Sequence, residues 1–193
     1  MSETRFSYYD RLSAAERKIY RASDAIPAVA LPHVDGLLPL VHDLEGCLTE
    51  GKRAKVARAA CMLVDSLLGQ LGAPSVGVRV REVRPQIRNG ELHGLYTVTG
   101  KAEPQIEVWM RTAAQAKVVK FRTFLRTLLH EVVHHLDFTL FALEDSFHTQ
   151  GFFRRESSLV RQLSPAPSAP RPTRGQARPR PADVQLSLFG KGG

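Results

Sequence analysis

Cysteine is scarce: 193 residues carry only Cys47 and Cys61. Both sit in apolar, helix-like segments and read as buried thiols, which argues against a disulfide framework or a cysteine metal pair and fits a reducing, cytoplasmic compartment. Long apolar runs are missing too. The stretch from Ala59 to Leu68 is broken by Asp65, and Met1 to Asp10 has no apolar core behind a basic start. No membrane span and no secretion signal are therefore expected. Acidic residues are in deficit, 19 against 27 Lys and Arg, giving a net charge of +8 and a calculated pI near 9.9. That balance makes a polyanion such as DNA a plausible partner. Clusters that carry part of the excess are Lys52, Arg53, Lys55 and Arg58; Arg79, Arg81, Arg84 and Arg88; Lys117, Lys120, Arg122 and Arg126; and, near the end, Arg171, Arg174, Arg178 and Arg180.

What remains is enough for one globular domain with a real core, since 43% of residues are hydrophobic. A polar helix is expected over 8–23, then a loop marked by Pro27 and Pro32. Helical patterns follow at 36–49 and 52–71, the second stopped by Gly72 and Pro74. From 75 to 83 apolar and polar residues alternate with period two, the pattern of a strand with one face on a core. Asn89-Gly90 signals a turn, 91–98 a second strand, Gly100 to Pro104 another turn, and 105–110 a third strand. Helices are expected at about 115–140 and 149–163. Half of the prolines then crowd into 164–182. This Pro/Arg-rich segment, taken as a linker over 164–184, has almost nothing to fill a core and is expected to be disordered.

The helix expected at 115–140 carries His130-Glu131-Val132-Val133-His134, an H-E-x-x-H pattern. Residues four apart on an α-helix differ by roughly 40° around its axis, so both imidazoles can face one metal ion. Glu131 then lies beside the ion, where a carboxylate can take a proton from a polarised water. Catalytic zinc usually has three protein ligands. His148, in the loop before the last helix, is the first choice for the third, because four of the seven histidines fall between 130 and 148. Glu144 or Asp145 could instead give an oxygen or cap the next helix. Asp137 shares the face of His130 and His134 and could bind the metal or accept a ligand's second N–H. His135 points about 100° away from His134, toward a structural or substrate-contacting role. Tyr96, His93 and Arg154 are candidates for stabilising an oxyanion. An exposed edge at 105–110 could pair with a peptide substrate, although a plain core strand carrying Trp109 reads equally well.

Strands, an H-E-x-x-H helix, and a histidine followed by Gly151 and Phe152 at the start of another helix together resemble the SprT/Spartan family of minimal zincin metalloproteases. The resemblance spans about 75–163 and is specific at the metal motif. It departs from the family in having His148-Thr149 where a His-Gly pair is common. The resemblance implies an α+β, zincin-like metalloprotease domain over 1–163, with a helical part at 1–72 and a metal-binding core at 75–163. It also implies zinc on His130, His134 and His148, with Glu131 as the catalytic base.

Beyond the linker, Gln185-Leu-Ser-Leu-Phe189 resembles the peptide by which bacterial replication and repair proteins dock on the β sliding clamp. Leu188 and Phe189 would fill an apolar pocket, Leu186 would add contact and Gln185 directional hydrogen bonds. Spartan-type proteases are similar in joining a protease domain to a clamp-binding tail, and they degrade proteins crosslinked to DNA. The expectation is therefore a nucleoid-associated zinc metalloendopeptidase acting on DNA-bound protein, tethered through a flexible linker, with self-cleavage between Ser164 and Asp183 as a candidate restraint. The alternatives are a regulatory protease with a dedicated repressor or toxin partner, and a non-catalytic adaptor in which zinc only stabilises the fold.

Overall fold

A computed structural model of the chain describes residues 6–87, 90–98 and 103–164. A short 3-10 turn at Tyr9–Arg11 leads into α1 (Ala14–Asp24). Ser13 caps α1 by accepting from the Glu16 N–H while the Glu16 side chain accepts from the Ser13 N–H, a reciprocal capping box. The helix expected at 8–23 thus starts later, at its cap.

α2 (Val34–Glu50) and α3 (Arg53–Leu71) form a hairpin. Gly51 and Gly72 end them in the left-handed conformation, φ 69° and 64°. Leu37, Val41, Leu44 and Leu48 of α2 are spaced on one stripe and buried, facing Val56, Leu63 and Leu67 of α3. Each such side chain stabilises the fold by roughly 1.5–3 kcal/mol relative to exposure.

β1 (Gly77–Val83), β4 (Gly94–Thr97) and β5 (Gln105–Arg111) make a mixed sheet ordered β1-β5-β4, parallel on one side of β5 and antiparallel on the other. The intervening β2 (Gln86–Ile87) and β3 (Gly90–Glu91) pair only with each other. The single strand expected at 91–98 is therefore two short ones. β5 is internal, with Ile106, Val108 and Met110 fully buried. The exposed-edge reading of 105–110 is overturned, because both of its edges are already hydrogen-bonded to neighbouring strands.

α4 (Phe121–Thr139) lies across β4 and β5, and α5 (Gln150–Leu163) packs on α4, α2 and α1. α4 begins later than 115 although 112–117 is helix-forming in composition. Backbone pairing wins there: Arg111 bridges Val118, and the Val119 N–H donates to Met110 O at 2.9 Å. Cys47 and Cys61 are unpaired and half-buried. No helix among the described residues is long and apolar enough to cross a membrane.

Candidate metal centre

Leu125, Leu128, Leu129, Val132 and Leu136 bury the inner face of α4 and leave His130 and His134 on the side that meets α5. The chain leaves α4, reverses through Ala142 (φ 50°) and enters α5 at Thr149, whose hydroxyl caps the helix by accepting from the Phe152 N–H at 3.0 Å. That reversal brings His148 back over the other two. Its Nε2 lies 3.0 Å from His130 Nε2 and 3.1 Å from His134 Nε2.

The tautomers follow from the outer partners. His130 Nδ1 sits 2.9 Å from a Glu156 oxygen, and a carboxylate only accepts, so His130 donates from Nδ1. His134 Nδ1 is 2.7 Å from Ser146 Oγ. That hydroxyl gives its own hydrogen to Asp137 Oδ2 at 2.8 Å, so His134 also donates from Nδ1. Both Nε2 lone pairs therefore converge where His148 Nε2 also points. A cation held between the three nitrogens would satisfy such a set. Tetrahedral zinc with Zn–N bonds of about 2.0–2.1 Å needs nitrogens about 3.3 Å apart, a few tenths from the separations found. Burial, with the neighbouring His130 and His148 charges, takes His134 down to about 3, and burial also lowers His148. Both are thus held as the neutral ligands a metal requires. The three histidines are close enough to bind a metal ion.

The support behind them is built from distant sequence. Burial disfavours the Glu156 charge, but His130 and Arg126 outweigh it and hold the carboxyl below its usual range. Asp137 and Arg155 form a fully buried ion pair at 2.9 Å. Arg155 also donates to Ser23 O and Ile26 O, both at 2.6 Å, which ties α1 to the centre. Tyr8 donates to the His148 carbonyl at 2.9 Å, and the Gly151 N–H to Asp24 Oδ1 at 2.6 Å. Gly151 is required here, because an added methyl would run into the Ser23 and Asp24 backbone.

Glu131 points from α4 toward β4 and is 6% exposed. Burial pushes its carboxyl up to about 7, against the lowering effects of His130 and a hydrogen bond from the Tyr96 backbone N–H. Gly94 faces it closely: a methyl there would overlap Glu131 Oε1 and lie 2.8 Å from Thr127 Cγ2. Glu131 and His130 line one end of a cleft of about 660 Å³ that runs along the start of α4.

The other residues singled out from sequence take different places. Asp137 reaches His134 only through Ser146, and Glu144 and Asp145 are exposed and outside the histidine trio. His135 is fully buried and structural, with Nε2 on Pro74 O at 2.8 Å and Nδ1 on the Tyr96 hydroxyl at 3.2 Å. The Tyr96 hydroxyl is thus engaged away from the centre. Arg154 turns to the Asp24 carbonyl of α1, whereas His93 lines the cleft. Ser146 and Glu156 went unnoticed in the sequence. Glu156 had a signal: it stands between Phe152 and Leu159 on the apolar stripe of α5, where a charge needs a buried partner. Gln185, Leu186, Leu188 and Phe189 lie outside the described residues, as does 165–184. Comparison with known protein families, curated proteins and solved structures found no match.

Proposed function

We propose that this chain is a zinc metalloendopeptidase of the SprT type that acts on DNA-bound or DNA-crosslinked protein. The observation that carries the enzymatic reading is the convergence of three Nε2 atoms beside a buried carboxylate that lines an open cleft. His130, His134 and His148 would hold the ion, with Glu156 and Ser146 orienting the first two. Zinc, when bound, supplies a Lewis acid that polarises a carbonyl and acidifies water.

The chain's own residues do the rest. Glu131, poised near neutrality, accepts a proton from the attacking water and delivers it to the leaving amine. β4 takes over the role first considered for 105–110. Its outer edge has no strand partner among the described residues, and it runs against Glu131, so a peptide paired there would pass over the centre. The DNA-directed part of the reading rests on the basic charge and on residues 185–189 as a β sliding clamp anchor.

The test is cleavage of a DNA-crosslinked protein by the wild type and Glu131→Gln, with and without single-stranded DNA, after zinc content is measured. The expected result is DNA-stimulated cleavage that falls at least roughly 100-fold in Glu131→Gln while zinc is retained. Full activity in that variant would sink the mechanism. Cleavage of one preferred protein regardless of DNA would replace the repair role with that of a regulatory protease.

A further inference from the structure

Many of the basic side chains in the described residues face carboxylates. Lys52 and Lys55 pair with Glu50, Arg53 and Arg111 with Glu82, Arg79 and Arg81 with Glu107, and Arg84 with Glu91. Lys120 and Arg122 differ. Both are exposed on the wall of the cleft that begins at Glu131, and among the described residues neither side chain meets an anion. Arg126 and His93 complete the same wall.

Two carboxylates border this cleft, and neither neutralises it. Both oxygens of Glu156 are occupied, by Arg126 Nε and His130 Nδ1, and its side chain is 3% exposed. Glu131 is buried at the catalytic end. The cations also stand at the start of α4, which has no side-chain cap and no acidic residue in its first turn. A helix start favours negative charge, so nothing inside the chain rewards placing Lys120 and Arg122 there. A ligand of opposite charge would.

We propose that this cleft binds an acidic side chain of the polypeptide substrate, so that cleavage is directed to bonds with Asp or Glu at a fixed distance on one side. The proposal rests on the metallopeptidase reading and names a substrate preference for it. Geometry favours a substrate side chain over a polynucleotide. His130 and Glu131 belong to the same wall, so a nucleic acid seated here would cover the reacting end. A peptide would reach the cations with one side chain and keep its backbone at Glu131. The volume of about 660 Å³ has room for a short peptide segment around such a side chain.

The experiment uses the full zinc-loaded chain carrying Glu131→Gln and fluorescent peptide pairs that differ only in aspartate or asparagine, with that position walked along the peptide. At one position the aspartate peptide is expected to bind roughly tenfold tighter, as for a charge-assisted contact. The preference should vanish when Lys120→Gln and Arg122→Gln are added and reverse toward asparagine with Lys120→Glu and Arg122→Glu. The glutamine pair, checked for zinc content and circular dichroism, guards against misfolding of the charge reversal. Equal binding of both peptides at every position would overturn the proposal. So would a single-stranded oligonucleotide whose affinity falls in the glutamine variant while no aspartate preference exists, since the cleft would then serve nucleic acid. Wild-type enzyme is run on the same peptides. Aspartate-selective binding without any cleavage would remove the metallopeptidase reading and leave the acid-binding cleft. Equal cleavage of both members of each pair would do the opposite.

Discussion

Gly94 and Ser146 show how much of the centre depends on atoms that are not ligands. A methyl at Gly94 has nowhere to go except into Glu131 Oε1 and the Thr127 methyl. Gly94→Ala is therefore expected to displace Glu131 and, on the proposed metallopeptidase reading, to lower kcat by about 100-fold, with zinc stoichiometry unchanged when both are measured on one preparation. Ser146→Ala acts on the metal. It removes the acceptor that fixes His134 and leaves a buried Nδ1–H facing Asp137 without its bridge. Zinc affinity should fall by about 10–100-fold in competition with a chromogenic chelator. Affinity equal to wild type would mean that the ring is held by packing against Phe152, whose centroid is 4.6 Å away.

At the scale of elements, α4 and α5 are joined by one buried ion pair that also reaches α1. Arg155→Met would leave Asp137 buried without its counter-charge, at a cost of about 3–5 kcal/mol. Urea unfolding should show the loss as a lower midpoint with little change in slope. How far the sequence led is clear from the same elements. His130 and His134 were legible because helical periodicity alone aligns them, and His148 because histidines cluster near it. Glu156 and Arg155 were not, since their partners are 26 and 132 residues away and no local pattern encodes such pairing. The order β1-β5-β4 was equally hidden. Period-two alternation tells which face of a strand is buried and says nothing about which neighbour it acquires. The late start of α4 has the same origin, a strand-like bridge from Arg111 to Val118 overriding a helix-forming composition.

For the whole molecule, an ion shared by α4 and the loop into α5 would link two parts of the fold that otherwise meet through side chains. Binding to the folded state alone adds about 2.7 kcal/mol at a hundredfold excess over Kd. Adding zinc to chelator-stripped protein should accordingly raise Tm by several degrees, and a chelator should reverse it. An unchanged Tm would count against a preformed three-histidine site. The supports of that site also sit at opposite ends of the domain: Tyr8, Ser23 and Asp24 come first, Thr149 to Glu156 last. On the ribosome α1 must wait through the synthesis of every strand and of α4 before α5 emerges to receive it. His130, Glu131 and His134 leave the exit tunnel while their orienting groups are still inside or unmade. The newborn chain thus carries its histidines before the groups that orient them, and the centre is complete only when the last helix is free to close the domain.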